Sequence, residues 1–150
     1  MTGTERLAEI LHAHAGQAGA LLPILHDVQH EFGFIPEEAK APIAEALKLT
    51  RAEVAGVISF YHDFRKAPAG RHVIKLCRAE ACQSMGGVAL QGRLEAALGQ
   101  KMGETKNGVT LEAVYCLGLC ACAPAAMVDD RLVGRLDAEA VAAIAAEVRA

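Results

Sequence analysis

The apolar side chains of the first 64 residues recur three and four positions apart, the spacing that places them on one face of an α-helix. Thr2 and Glu5 are spaced as a capping box, in which each side chain bonds the backbone of the other residue at the start of a helix. Thr50 and Glu53 have the same spacing before the last apolar repeat of this region. The pattern therefore predicts helices that begin after Thr2 and after Thr50.

Between those two helices the pattern predicts two more. One apolar stripe runs as far as Gly33 and consists of Leu21, Ile24, Leu25, Val28 and Phe32. Another helix is expected to begin at Pro36, because proline suits the first turn of a helix, although Pro42 should weaken or kink it. We expect these elements to form a small helical bundle.

The pattern changes after the segment 65–70, whose proline and glycine indicate a linker. The short apolar run from His72 to Cys77 predicts a buried strand. The segment Val88–Leu98 suits a helix, and Val109–Cys116 alternates between apolar and polar residues as a strand does. The segment 125–136 predicts two strands around a turn.

The second region therefore has the order β-α-β-β-β-α, with Asp137 as the cap of the last helix. A parallel pair of strands joined by a helix, followed by an antiparallel hairpin and a closing helix, is a small α/β sandwich of the thioredoxin kind. We expect an α+β protein with an N-terminal helical bundle at residues 1–66 and a thioredoxin-like domain at residues 67–150.

Composition restricts the setting of this fold. A hydrophobic content of 53% with 22% charged residues is typical of a folded globular chain, and no apolar run approaches the roughly 20 residues that span a bilayer. The amphipathic N-terminus lacks the unbroken apolar stretch of a signal peptide, so we expect a cytoplasmic protein without membrane insertion. The net charge of -3 and the dispersed basic residues argue against a nucleic-acid partner.

Five cysteines in a reducing cytoplasm are not expected to form a disulfide framework. Four of them form two pairs, Cys77 with Cys82 and Cys116 with Cys120, and each pair begins where a predicted strand ends. Because the ends of neighbouring parallel strands lie side by side, the two loops can bring four thiolates to one centre. Soft thiolate ligands select zinc or an iron–sulfur cluster.

The spacing of the pairs favours an iron–sulfur cluster without excluding zinc. In structural zinc sites the two cysteines of a pair are separated by about two to four residues, and a separation of about two is the most frequent. Here four residues separate Cys77 from Cys82, and three separate Cys116 from Cys120. A [2Fe-2S] cluster has two irons that each take two ligands, and wider loops leave backbone N–H groups free to face the sulfides, notably at Gly86, Gly87 and Gly118.

Three other interpretations of the cysteines stay open. They are a structural zinc adaptor, free cysteines that only pack in the core, and a thiol–disulfide enzyme. The last lacks a C-x-x-C motif, since Cys120 and Cys122 give only C-x-C. His26 and His30 have the four-residue spacing of the metalloprotease motif, but the apolar stripe of their helix faces away from both, so we interpret them as solvated.

Four segments together resemble the [2Fe-2S] subunit of respiratory complex I and its relatives: LLPILHDVQHEFGFIPEEA, SFYHDFR, CRAEACQSMGG and YCLGLCACAPAAMV. The resemblance covers roughly residues 20–136. Within that group the chain looks most similar to the gamma subunit of soluble, NAD-dependent, molybdenum-containing formate dehydrogenases. The resemblance implies a thioredoxin-like [2Fe-2S] ferredoxin domain in which Cys122 is not a ligand. The implied ligands of its one cluster are Cys77, Cys82, Cys116 and Cys120.

The resemblance also implies a function and partners. The chain would be an electron-transfer subunit without substrate chemistry of its own. It would lie beside a flavoprotein subunit that binds FMN and NAD, and the catalytic subunit would hold a molybdenum cofactor and oxidise formate. Single electrons would pass between the cluster and FMN, which collects pairs for hydride transfer to NAD. The alternative is the equivalent subunit of complex I or of an NAD-reducing hydrogenase. We expect the helical bundle both to cover the ferredoxin domain and to dock the flavoprotein.

Overall fold

The computed structural model describes residues 2–149, which divide into two compact units, one ending at Pro68 and one beginning at Ala69. The elements of the first unit are helical: α1 (Gly3–Ala13), α2 (Leu21–Phe32), a 3₁₀ turn (Glu37–Ala39), α3 (Lys40–Leu47) and α4 (Arg51–Phe60). Its core is formed by buried apolar residues of all four α-helices, among them Leu7, Ile24, Leu25, Val28, Ile43, Val54 and Ile58.

Both predicted capping boxes are present. The side chains of Thr2 and Thr50 accept the backbone N–H of the glutamate three residues later. The carboxylates of Glu5 and Glu53 accept the N–H of those threonines, each at 2.7 Å. The hydrogen bond from the Thr50 backbone holds the pKa of the Glu53 carboxyl below its usual range. Local signals of this kind fix the starts of α1 and α4.

The helix predicted from Pro36 differs from the observed one. Residues Glu37–Ala39 form a 3₁₀ turn, and α3 begins only at Lys40. Pro42 therefore lies in the first turn of α3, where a backbone N–H would have no partner within the helix. Pro42 therefore does not interrupt α3, which continues to Leu47, and the predicted weakening or kink stays a prediction.

The second unit contains a five-stranded sheet in the order β2-β3-β1-β4-β5. Its elements are β1 (His72–Cys77), α5 (Glu80–Ser84), α6 (Gly87–Leu98), β2 (Thr105–Lys106), β3 (Val109–Val114), β4 (Ala126–Val128), β5 (Arg131–Val133) and α7 (Ala138–Glu147). Strands β1 and β3 are parallel and the other neighbours are antiparallel. The predicted parallel pair, hairpin and closing helix are confirmed, whereas α5 and β2 were not expected.

One side of this sheet carries the core of the second unit. Ile74 of β1 is paired in register with Leu111 of β3, and both are completely buried. They pack with apolar residues of α6 and α7, among them Leu94 and Ile144. Burial of this face fixes the position of β1 relative to β3, and the cysteine loops follow these two strands. In the described part of the chain no helix is long and apolar enough to cross a membrane.

Candidate metal centre

The two cysteine loops begin at the same edge of the sheet. Cys77, the last residue of β1, is paired in register with Val114, the last residue of β3. The first loop continues into α5, which contains Cys82. The second loop carries Cys116 and then Cys120, which opens a 3₁₀ turn over Cys120–Cys122. The register therefore places both loops beside each other at the carboxyl ends of parallel strands.

Backbone N–H groups from both loops act on the thiol of Cys77. Those of Ala79, in the same loop, and of Leu117 and Cys116, in the other loop, lower its pKa. Burial acts to raise the pKa of the Cys77 thiol, but these donors and the neighbouring thiol of Cys82 together hold it below its ordinary value. The site thus stabilises negative charge on this sulfur, as a metal-bound thiolate requires.

Ala125, which follows the second loop in the sequence, contacts the first loop through its backbone. Its carbonyl oxygen accepts the N–H of Cys77 at 3.0 Å, and its own N–H acts to lower the pKa of the Cys82 thiol against the effect of burial. Ala125 is 1% exposed and packs in a small buried cluster with these two cysteines. Sequence reasoning missed this residue, because an alanine carries no polar side chain and acts here only through its backbone.

The second pair of cysteines lies at the surface. The sulfurs of Cys116 and Cys120 are 3.9 Å apart, and the N–H of Gly118 donates to the sulfur of Cys116 at 3.3 Å. Both residues are exposed, whereas Cys77 and Cys82 are buried. The hydrogen bond with Cys116 raises the pKa of the Cys120 thiol. For Cys82, burial is the largest influence and raises the pKa of its thiol.

The sequence predicts backbone N–H groups that face the sulfides at three glycines, and the structure gives these glycines different roles. They are Gly86, Gly87 and Gly118. Gly118 has a left-handed backbone (φ 74°), and its N–H donates to the sulfur of Cys116, which is a cysteine sulfur and not a sulfide. Gly87 gives α6 room to begin against the first loop, because a Cβ atom there would lie 2.6 Å from the carbonyl oxygen of Cys82. The expectation for Gly86 is wrong, since its N–H is bonded to the carbonyl oxygen of Gln83 at 3.0 Å.

The donor set fits a binuclear iron–sulfur cluster. It consists of sulfur alone and is arranged as one buried and one exposed pair, with N–H groups directed at the sulfurs. Within residues 2–149, no group of three or more His, Cys, Asp or Glu side chains is arranged to hold a single ion. A [2Fe-2S] cluster takes two thiolates at each iron, so it needs sulfurs in pairs.

The remaining candidates lie outside this arrangement of pairs. Cys122 is half-buried, and its carbonyl oxygen accepts the N–H of Arg135 at 2.6 Å. His26 and His30 are exposed, as interpreted from the sequence, although the ring of His26 also packs against Phe64 with the centroids 5.1 Å apart. We therefore assign neither histidine to the site.

Comparison with known proteins adds four findings, of which the last is a solved structure. A family model of thioredoxin-like [2Fe-2S] ferredoxins matches residues 7–149. The E subunit of NADH-quinone oxidoreductase from Pseudomonas aeruginosa is 33% identical over 146 residues, which cover 95% of this chain and 88% of that protein. Its counterpart from Aquifex aeolicus is 36% identical over 127 residues, covering 83% of this chain and 79% of that protein.

The solved structure of an NAD⁺-reducing [NiFe]-hydrogenase in its air-oxidised state is also similar. It aligns with a TM-score of 0.70 and 30% sequence identity over 86% of this chain. The chain spans only 22% of the hydrogenase chain.

Proposed function

Because the chain belongs to the thioredoxin-like [2Fe-2S] ferredoxin family, we propose that it is the electron-transfer subunit of an NAD(H)-linked oxidoreductase. The observation that carries this proposal is the meeting of two cysteine loops at the ends of β1 and β3. The proposed cluster ligands are Cys77, Cys82, Cys116 and Cys120. When bound, a [2Fe-2S] cluster supplies a centre that accepts and releases one electron.

The residues of this chain would hold the cluster and set how easily it is reduced. The buried sulfurs of Cys77 and Cys82 anchor one side, and N–H donors offset the negative charge on them. Reduction adds a further negative charge, so these donors favour the reduced state. Cys116 and Cys120 form the exposed side. We propose that electrons enter and leave there, because a partner can approach only an exposed side of the centre.

The proposed partner is a flavoprotein subunit that binds FMN and NAD. The relatives named above are subunits of NADH-quinone oxidoreductases, and the similar structure is an NAD⁺-reducing hydrogenase, so the comparisons favour these two parent complexes. A formate dehydrogenase with a molybdenum-containing catalytic subunit stays a prediction from the segments FYHDFR and CRAEACQSMGG, because none of these relatives is a formate dehydrogenase. The cytoplasmic location also stays a prediction.

Anaerobic isolation of the chain tests the proposed cluster. We expect a red-brown protein with about two irons and two sulfides for each chain. A colourless protein that holds stoichiometric zinc would contradict the proposal and favour the structural zinc adaptor. Isolation of the native complex then separates the parents, because nickel indicates a hydrogenase and molybdenum indicates a formate dehydrogenase. A complex that contains neither metal and reduces quinone with NADH indicates the complex I type.

The helical unit offers an aromatic surface for the proposed flavoprotein. The ring of Phe60 is 73% exposed and lies edge-on to Tyr61, with the centroids 5.1 Å apart. Aromatic side chains are enriched at protein interfaces and often carry much of the binding energy. We therefore expect Phe60→Ser to weaken flavoprotein binding about tenfold or more, measured by titration of the purified subunits. Ser59→Ala, a change at the neighbouring exposed position, should leave the affinity unchanged. Equal affinity of both variants would contradict the docking proposal.

A further inference from the structure

We propose that Gly134 is a positioning residue for the iron–sulfur cluster, because its missing side chain sets the position of the turn that carries Cys120. The residues Gly134, Arg135 and Leu136 form a segment that we call the brace. It follows β5 and runs against the second cysteine loop. The inference rests on the proposed cluster and gives a role to Cys122, which the ligand set leaves out.

The brace approaches the turn more closely than a side chain would allow. A Cβ atom at Gly134 would lie 2.8 Å from the Cβ of Cys122 and 3.0 Å from its carbonyl oxygen. Carbon atoms in contact prefer separations of about 3.5–4.0 Å, so any larger residue must push the turn away. The φ of Gly134 is not positive, so the need here is for space and not for an unusual backbone conformation.

Two hydrogen bonds hold the brace against the turn. Arg135 donates its N–H to the carbonyl oxygen of Cys122 at 2.6 Å, and Leu136 donates to that of Pro124 at 2.9 Å. Leu136 is also buried in the core of the second unit, which anchors the brace. The turn is therefore fixed between Cys122 and Pro124 by a segment that is itself attached to the core.

A displacement of the turn would also affect proposed ligands through the residues before and after the point where the brace is attached. Cys120 lies two residues before Cys122 in the same 3₁₀ turn. Ala125 directly follows Pro124, and its carbonyl oxygen accepts the N–H of Cys77 at 3.0 Å. Moving the turn would therefore shift one proposed ligand, Cys120, directly and disturb the hydrogen bond that holds the backbone of another, Cys77.

The test is Gly134→Ala in the full chain, isolated anaerobically. We expect less iron and sulfide for each chain, altered g values in the electron paramagnetic resonance (EPR) spectrum of the reduced cluster, and a more negative midpoint potential. The potential should fall because a displaced second loop weakens the bond from the N–H of Gly118 to the sulfur of Cys116, and a weaker N–H donor to sulfur disfavours the added charge. Gly92→Ala is the matched control, since a Cβ atom there meets nothing within 4 Å, and it should match the wild type in all three measurements.

A second-site change shows whether the contact itself is the cause. Cys122→Gly removes the Cβ atom, which is the nearer of the two Cys122 atoms that the new methyl group would strike, and leaves the carbonyl oxygen. Combining it with Gly134→Ala should therefore return the g values and potential part of the way to those of the wild type. Cys122→Gly alone should keep the cluster. A Gly134→Ala protein with wild-type iron content, g values and potential would overturn the inference, as would a defect that Cys122→Gly does not relieve. A wild-type chain without any [2Fe-2S] cluster would instead overturn the proposed function, and the inference with it.

Discussion

Cys120→Ser is expected to remove the cluster or to change its spectrum severely, whereas Cys122→Ser is expected to leave it intact. The two cysteines lie in one 3₁₀ turn, and the substitution is the same, so each variant is the control for the other. The sulfur of Cys120 lies 3.9 Å from that of Cys116, its proposed partner at the centre, and both residues are exposed. Cys122 instead packs beside Gly134.

The measurements are iron and sulfide content, visible absorption and the EPR spectrum of the reduced protein. Serine is a harder ligand than cysteine, so a cluster that survives in Cys120→Ser should have shifted absorption bands and g values. Loss of the cluster in Cys122→Ser together with a normal spectrum in Cys120→Ser would reverse the ligand assignment. Normal spectra from both variants would show that neither cysteine binds iron.

The parts of this structure that could be predicted are those with a local signal in the sequence. The capping boxes at Thr2 and Thr50 depend on residues only three positions apart, and each marks the observed start of a helix. The runs in β1 and β3 were recognised because both strands are long enough to show an apolar pattern. Strand β2 has only two residues and helix α5 only five, so neither is long enough to show a repeated pattern from which it could be recognised.

The candidate site, too, could be predicted only where its residues lie close together in the sequence. Spacing was enough to pair Cys77 with Cys82 and Cys116 with Cys120, because each pair lies within one loop. The backbone groups that join those loops are far apart in the sequence and carry no distinctive side chain, as the bond from the N–H of Cys77 to the carbonyl oxygen of Ala125 illustrates. Gly134 is a further case, since its close approach to Cys122 depends on the path of the chain after β5. Contacts of this kind are set by tertiary packing, which no local pattern records.

Leu111→Ala is expected to destabilise the second unit by about 2–5 kcal/mol, because it removes buried methyl groups and leaves a cavity in the core. Leu111 is completely buried beside Ile74, and it lies on β3 three residues before the strand end that is paired with Cys77. Unfolding this strand would separate the cysteine loops. The cluster absorption and the far-ultraviolet circular dichroism of Leu111→Ala should therefore both be lost at a lower denaturant concentration than those of the wild type.

Leu132→Ala is the matched control for this change. Leu132 belongs to β5 of the same sheet but is 51% exposed, so its replacement should change the free energy of unfolding by no more than about 0.5 kcal/mol. Equal midpoints for the two variants would contradict the assignment of Leu111 to the core. If Leu111→Ala lowered the midpoint measured by circular dichroism but not that of the cluster absorption, the cluster would not depend on the pairing of β1 with β3. The loops would then have to be held together by the cluster itself, since bound iron stabilises only the state in which all its ligands are assembled.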